Sequence, residues 1–93
     1  MEIAALSTIA RAAEIRSEEF NSQELSNTCW AFATAACDAE ELFQALAHSG
    51  AANAGLYKPQ EISNTVWAYA KLGYRAPEFF DALAEATIET ADD

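Results

Sequence analysis

Two stretches of the chain carry the same polar and aromatic residues at the same spacing. The first reads QELSNTCWAFA, from Gln23 to Ala33, and the second reads QEISNTVWAYA, from Gln60 to Ala70. Each begins with an amide side chain, has a second amide four residues later and a Trp three residues after that. Amides can donate and accept hydrogen bonds at a base edge, and an indole can stack on a base. The pattern is therefore compatible with contact to the bases of RNA.

On a helix, positions i, i+4, i+7 and i+11 fall in one row along the surface. This row, called here the polar stripe, consists of Gln23, Asn27, Trp30 and Thr34 in the first copy and Gln60, Asn64, Trp67 and Lys71 in the second. With Arg75, which follows, these are the candidate RNA contacts, and the two cations could meet phosphate. A structural alternative stays open, in which each Asn hydrogen-bonds a neighbouring repeat and each Trp seals the joint between repeats.

The sequence offers few of the residue patterns that catalysis needs. No phosphate-binding loop, GxSxG or HExxH motif occurs, and the only histidine, His48, is interpreted as a residue at a helix C-terminus. Cys29 and Cys37 lie in apolar or alanine-rich surroundings without a CxxC spacing, which indicates small core side chains. We therefore expect no enzymatic activity, no cofactor, no metal site and no small-molecule substrate.

Both motifs belong to a longer repeat with a period of 37 residues. Residues 20–47 and 57–84 align without a gap, with 14 identities in 28 positions. A fixed period of this length is typical of helical solenoids. We predict repeat 1 at 20–56 and repeat 2, with a C-terminal tail, at 57–93. Residues 1–19 would be the second helix of a truncated preceding repeat plus a linker, giving about two and a half repeats of a longer array.

The predicted fold class is all-α, an α-solenoid fragment of helix-hairpin repeats with five helices. Alanine is abundant, and the chain has only three glycines and two prolines, a composition that favours helix. The spacing of the apolar residues predicts a core that contains Leu25, Phe32, Phe43, Leu46, Ile62, Tyr69, Phe80 and Leu83. The expected helices lie near 2–16, 22–36, 39–48, 59–72 and 77–90.

Capping signals set the expected ends of these helices. The stretches NSQE at 21–24 and DAEE at 38–41 fit capping boxes, while KP at 58–59 puts a proline at a first helical position. Gly73 suits a left-handed C-terminal stop, and SG at 49–50 and NAG at 53–55 predict a break between the repeats.

The charge of the chain opposes contact with polyanions. Fifteen acidic residues against five basic ones give a formal net charge of −10. Lys58, Lys71 and Arg75 lie in or beside the second motif, whereas repeat 1 has no Lys or Arg. No stretch is apolar enough to span a bilayer, and nothing near Met1 looks like a targeting segment. On these grounds alone we expect a soluble intracellular protein without a membrane partner.

The repeats also resemble a known repeat style. FNSQELSNTCWAFATA and YKPQEISNTVWAYAKLG look like the F-x-P-Q-E-L-S-N-x-x-W-A-F-A-K-L-G units of organellar helical-repeat proteins in algae and related protists. Such units are similar to octotricopeptide and heptatricopeptide repeats, and to the helical region of FAST-kinase-like proteins that often end in a RAP domain. The resemblance covers about 70 of the 93 residues.

This resemblance implies an RNA-binding α-solenoid, part of a larger factor for RNA processing, stability or translation in the mitochondrion or chloroplast. The contacts that it implies are those of the polar stripe. Two other readings stay open. The chain could be a protein-interaction scaffold that uses its acidic surface or its groove, or a fragment whose binding surface needs further repeats.

Overall fold

The computed structural model describes residues 3–91, with side-chain burial for residues 7–88. Within the described range the chain is all-α and has no strand, which confirms the predicted fold class. The predicted start of the first helix at Glu2 lies outside that range. Two short 3-10 helices, Ser17–Glu19 and Ala54–Leu56, each precede the first helix of a repeat. The five α-helices are α1 Ile3–Ile15, α2 Ser22–Thr34, α3 Glu40–Ala52, α4 Pro59–Leu72 and α5 Pro77–Ala91.

The helices form two rows, one made of the first helices of the hairpins and the other made of the second helices. The first helices of the hairpins, α2 and α4, pack side by side, and α3 lies between α1 and α5 in the other row. The molecule is elongated, 45 × 23 × 19 Å, as expected when repeats add along one direction. This arrangement is compatible with an α-solenoid.

Element boundaries recur at the period of the sequence. Ile3–Ile15 becomes Glu40–Ala52 on adding 37, and Ser17–Glu19 becomes Ala54–Leu56 in the same way. The first row shows this regularity too, since both α2 and α4 begin at equivalent positions. That residues 1–19 derive from a truncated preceding repeat stays a prediction.

The starts of α2 and α4 differ in how completely they are capped. Asn21 Oδ1 accepts a 2.7 Å hydrogen bond from the Glu24 N–H, and Glu24 Oε1 accepts a 3.0 Å bond from the Asn21 N–H, which confirms the capping box. At α4, Glu61 Oε1 accepts from the Lys58 N–H at 2.8 Å. The Lys58 ammonium has no acceptor atom, so the other half of the box cannot form.

The predicted capping box at the start of α3 is wrong. The N-cap is Ala39 rather than Asp38, and no side chain of its own caps the helix. Instead the Ala39 N–H donates to the Tyr74 hydroxyl oxygen at 2.8 Å, and that hydroxyl donates to Asp38 Oδ1 at 3.1 Å. The N–H of the N-cap residue is thus satisfied by a residue 35 positions away, in the next repeat, and not by the local Glu of a capping box.

The predicted break at 53–55 is confirmed, since α3 ends at Ala52, but the one at Ser49-Gly50 is wrong, because the helix encloses both residues. His48 therefore lies inside the helix. Gly50 is buried where Tyr57 and Phe79 approach the helix, and an added Cβ would lie within 3 Å of both. The glycine serves a close contact between repeats, not a turn.

The first helices of the two repeats end in the same left-handed way with different residues. Gly73 has φ +78° directly after α4, which confirms its predicted role as a stop. Its equivalent in repeat 1 is Ala36, which has φ +53°. A left-handed conformation is strained for a residue with a Cβ.

The core lies between the two rows. Of the predicted core residues, Leu25, Phe32, Phe43, Leu46, Tyr69 and Leu83 are buried. The Tyr69 hydroxyl donates to the Phe43 carbonyl oxygen, and their rings meet edge to face with centroids 4.7 Å apart. Two predictions were too strong, because Ile62 and Phe80 are only partly buried. Both belong to repeat 2, and Ile62 lines a hollow of about 400 Å³ there. Phe79, the neighbour of Phe80 on α5, is almost fully buried.

Candidate nucleic-acid interface

The polar stripe lies along α2 and α4, the two helices of the first row. Seven of its eight residues are exposed, and Asn64 is partly buried. The apolar spacing that puts Leu25 and Phe32 in the core turns the stripe outwards on the opposite side of α2. Because α2 and α4 pack side by side and begin at equivalent positions, the stripe forms two neighbouring rows.

Both tryptophans of the stripe are about half exposed. Trp30 exposes 48% of its surface and Trp67 exposes 45%. If Trp sealed the joint between repeats, Trp30 would be covered by repeat 2 and Trp67 alone would be bare. The near equality does not fit that structural alternative. The joint is instead filled by small residues, among them Cys29 and Ala68, which are fully buried.

The amides of the stripe do not hold the repeats together either. Gln60 Nε2 donates to Asn64 Oδ1 at 3.3 Å within α4. Among the described residues this is the only hydrogen bond of either side chain, and none involves the side chain of Asn27. The Asn64 amide nitrogen and the Gln60 carbonyl oxygen therefore stay available to a ligand.

The two candidate cations lie in different places. Lys71 Nζ is 5.8 Å from the centroid of the Trp67 ring, a cation–π distance, so Lys71 belongs to the stripe. Arg75 follows α4 and lines a hollow of about 230 Å³ with Gln44 and His48 of α3. None of the stripe residues lines that hollow.

Arg16 is a cation that the sequence analysis did not consider. It shares a hollow of about 450 Å³ with Asn27, Thr28 and Glu24. Repeat 1 itself has no Lys or Arg, so Arg16, in the linker before it, supplies a positive charge near the first row. Glu24 offsets part of that charge. The only feature of the sequence that could have indicated Arg16 as a candidate is its position shortly before repeat 1 begins.

Three side chains with clearly displaced pKa values belong to the core. Burial raises the pKa of the Cys29 thiol to about 12, so the thiol stays protonated and is a poor nucleophile. Burial also raises the pKa of Tyr57 and of Tyr69 well above the usual range for a phenol. Each shift follows from packing inside the fold, so none indicates a catalytic group.

Two further findings concern the described residues. No group of three or more His, Cys, Asp or Glu side chains in that part of the chain could hold a metal ion. None of the helices between residues 3 and 91 combines the length and the apolarity that crossing a membrane requires.

Comparison of the chain with family models, with curated proteins and with solved structures finds no match. The resemblance to organellar helical-repeat proteins therefore rests on the two motifs alone.

Proposed function

We propose that the protein binds single-stranded RNA through the polar stripe on α2 and α4. The observation that carries this proposal is the equal exposure of Trp30 and Trp67, at 48% and 45%, on two helices that pack together. Exposing a large indole to water is unfavourable, and here it occurs at the same position in both repeats. An aromatic ligand that covers both rings would remove that cost.

The chemistry of the stripe suits an unpaired base better than a duplex. An indole offers a stacking face that any base can use once its own stack is open. Three residues before each Trp lies an Asn, and its amide can donate to or accept from a base edge. Each repeat would thus contact about one base, through Asn27 and Trp30 in repeat 1 and through Asn64 and Trp67 in repeat 2.

Charge limits the affinity of this contact. The net charge of −10 repels RNA, and Lys71 is the one cation within the stripe. Stacking and base-edge hydrogen bonds must therefore provide most of the binding free energy. Each phosphate contact to single-stranded RNA contributes a slope of about −0.7 in the logarithm of affinity against that of salt. With one or two such contacts, we expect a shallow slope.

By its resemblance to organellar repeat proteins, the RNA-binding module would belong to a larger factor. That factor would act in RNA processing, stability or translation in the mitochondrion or the chloroplast. This part of the proposal depends on the motifs of the two repeats and on no feature of the fold.

The test measures binding of 12-nucleotide single-stranded RNAs by fluorescence anisotropy, with a duplex of equal length for comparison. We expect the single strands to bind, and Trp67→Ala to weaken binding roughly 5- to 150-fold, which corresponds to the 1–3 kcal/mol of one stacked base. Asn64→Ala should weaken binding less and change the preference among bases. Ile88→Ala is the control, because Ile88 is 64% exposed on α5 in the other row.

Two outcomes would contradict the proposal. One is that the folded chain binds none of the single strands, and the other is that Trp67→Ala and Ile88→Ala bind as the parent does. Circular dichroism shows whether each variant folds. A protein partner is the alternative, favoured by the excess of acidic residues. It would be indicated if a Lys-rich peptide binds where RNA does not.

A further inference from the structure

Asn64, three residues before Trp67, has its amide held in one orientation. Gln60 Nε2 donates to Asn64 Oδ1 at 3.3 Å along α4, and Asn64 is partly buried. The oxygen and the nitrogen of an amide point in different directions from the same carbon. With Oδ1 directed back towards Gln60, Nδ2 lies on the other side of the amide, and Trp67 follows further along the helix. The amide therefore presents its donors, and not its acceptor, to a base on Trp67.

In repeat 1 the equivalent amide is free to rotate. Asn27 is exposed, and its side chain makes no hydrogen bond within the described part of the chain. The amide can turn either its oxygen or its nitrogen towards a base on Trp30. The same pair of residue types, Gln and Asn four positions apart, thus gives a fixed amide in repeat 2 and a free amide in repeat 1.

A second difference between the repeats lies after each Trp. Lys71 follows Trp67 by four residues, and Thr34 takes that place in repeat 1. Lys71 Nζ lies over the Trp67 ring, 5.8 Å from its centroid. An ammonium has three donors and no acceptor, whereas a hydroxyl can donate or accept. A base that stacks on this ring takes the place of the ammonium, which then lies at the edge of the base as a second donor group.

The other exposed polar side chains of α4 do not offset these donors. Gln60 Oε1 is an acceptor, but Gln60 precedes Trp67 by seven residues, which is about 10 Å along the helix axis. The Ser63 hydroxyl, one turn before Trp67, can donate or accept and so favours neither kind of base group. The surroundings of Trp67 therefore favour a base edge that carries acceptors.

Guanine is the base whose edge best matches such donors. Its O6 and N7 are adjacent acceptors, and an ammonium can contact both. Adenine has a donor, N6, beside N7, and an Asn contacts this pair only when its oxygen and its nitrogen both face the base. In Asn64 the oxygen is engaged by Gln60, so the contact with adenine is disfavoured. Uracil offers one carbonyl at the corresponding edge, and cytosine offers none.

We propose that repeat 2 selects guanine as the base that stacks on Trp67, and that Gln60 is the positioning residue that turns the Asn64 amide. The inference rests on the proposed binding of single-stranded RNA by the polar stripe, and it names the base that one repeat prefers. Repeat 1, with its free Asn27 and with Thr34, would accept any base.

The test compares two 12-nucleotide RNAs, four repeats of UUG and four repeats of UUA, by fluorescence anisotropy. We expect the parent chain to bind the guanosine strand roughly fivefold or more tightly than the adenosine strand, which is the discrimination of one well-formed base contact. Inosine, which keeps O6 and N7, should preserve this gain in affinity, and 7-deazaguanosine, which lacks N7, should lose most of it. The ratio of the two dissociation constants is the quantity compared among variants.

Gln60→Glu keeps the length of the side chain but replaces the donor by an acceptor. The carboxylate would accept from Asn64 Nδ2 and leave Oδ1 towards the base, so the preference should disappear or turn to adenosine. The added negative charge repels both RNAs alike, because they carry the same phosphates, and so leaves the ratio unaffected. Lys71→Thr, which introduces the residue that repeat 1 has, should lower the ratio as well.

Gln23→Ala is the matched control, because it removes the equivalent amide of repeat 1, which makes no hydrogen bond to Asn27. Gln23 and Gln60 are both exposed, so neither change disturbs the packing. The control should leave the ratio unchanged, whatever it does to the affinity for both strands. The inference is overturned, and RNA binding stands, if the parent binds the two strands equally, if Gln60→Glu keeps the ratio of the parent, or if Gln23→Ala lowers it as much. If neither strand binds, the inference and the proposed function both fail.

Discussion

Gly50 and Phe79 lie so close that no larger residue fits between the two repeats. A Cβ added to Gly50 would be 2.8 Å from Cε1 and Cζ of Phe79, and 2.9 Å from the hydroxyl oxygen of Tyr57. Phe79 is only 1% exposed and the core holds it on its other sides, so the ring has little room to move. The contact fixes the distance between α3 and the hairpin that follows it.

Gly50→Ala should therefore lower the free energy of unfolding by about 1–3 kcal/mol through overpacking. The sign is the reverse of the usual one, since Gly to Ala within an ordinary helix stabilises by about 1 kcal/mol. Urea denaturation measures the change. Gly55→Ala is the control, because nothing lies within 4 Å of a Cβ there. A Gly50→Ala protein more stable than the parent would contradict the contact.

Ala36→Gly should stabilise the chain by roughly 0.5–1 kcal/mol. Ala36 has φ +53°, and glycine removes that strain while it adds some freedom to the unfolded chain. The reciprocal change, Gly73→Ala, should cost about 1–2 kcal/mol at φ +78°, where an added Cβ meets no other atom within 4 Å. The melting temperatures of the two variants should move in opposite directions, and a shift in the same direction would refute the assignment.

Lys58→Asn should complete the capping box of α4. Glu61 already accepts from the Lys58 N–H at 2.8 Å, and an Asn side chain adds the acceptor that lysine lacks. We expect a gain of about 0.5–2 kcal/mol in the free energy of unfolding. Asn21→Ala, which removes the same group from α2, should cost a similar amount. No gain at Lys58 together with a clear loss at Asn21 would show that the two starts are not equivalent.

Alkaline pH should destabilise the chain in part through Cys29. Burial raises the pKa of its thiol from 9.0 to about 12, so between these values the unfolded state loses a proton that the folded state keeps. The free energy of unfolding then falls as pH rises above 9, by at most about 1.4 kcal/mol per pH unit for this group. Urea denaturation at pH 8, 9 and 10 measures the slope, and Cys29→Val should make it shallower. Equal slopes for parent and variant would contradict the prediction.

Phe43→Ala and Phe79→Ala should each cost about 3–5 kcal/mol, because both rings are almost fully buried. Phe80→Ala should cost less, since the side of repeat 2 on which its ring lies is only partly covered. Thermal unfolding followed by circular dichroism ranks the three variants. If Phe80→Ala lowered the stability as much as Phe79→Ala, the Phe80 ring would be better packed than its burial indicates.

The sequence predicted the helices well where the deciding interactions are local. Capping at Asn21 depends on a residue three positions away, and the stop at Gly73 depends on its own backbone. The start of α3 and the role of Gly50 were predicted wrongly because partners from the next repeat decide them. Ser49-Gly50 has the composition of a turn, and only the close contact with Phe79 explains why a glycine lies inside the helix.

Burial within the repeats was predicted from periodicity alone, and this explains the errors in the core. Periodicity identifies Ile62 with Leu25 and Phe80 with Phe43, but it does not tell which copy has a neighbour on its outer side. For the candidate site, the helical spacing of the residues shows which of them share a face of a helix. It does not show that Arg75 lies with α3, because the chain turns after Gly73. RNA binding by the stripe stays a prediction.

Tyr74 lies in repeat 2, but its hydroxyl accepts the N–H of Ala39, the residue just before α3 in repeat 1. The two repeats are consequently not independent in the thermodynamic sense, because a hydrogen bond at the start of α3 in repeat 1 needs a group that only repeat 2 contains. In a nearest-neighbour description this hydrogen bond belongs to the coupling term, which raises cooperativity at the expense of autonomy. A chain cut after residue 56 would thus lose this hydrogen bond at the start of α3 as well as an interface. Measurements on single repeats would therefore underestimate the stability of the intact protein.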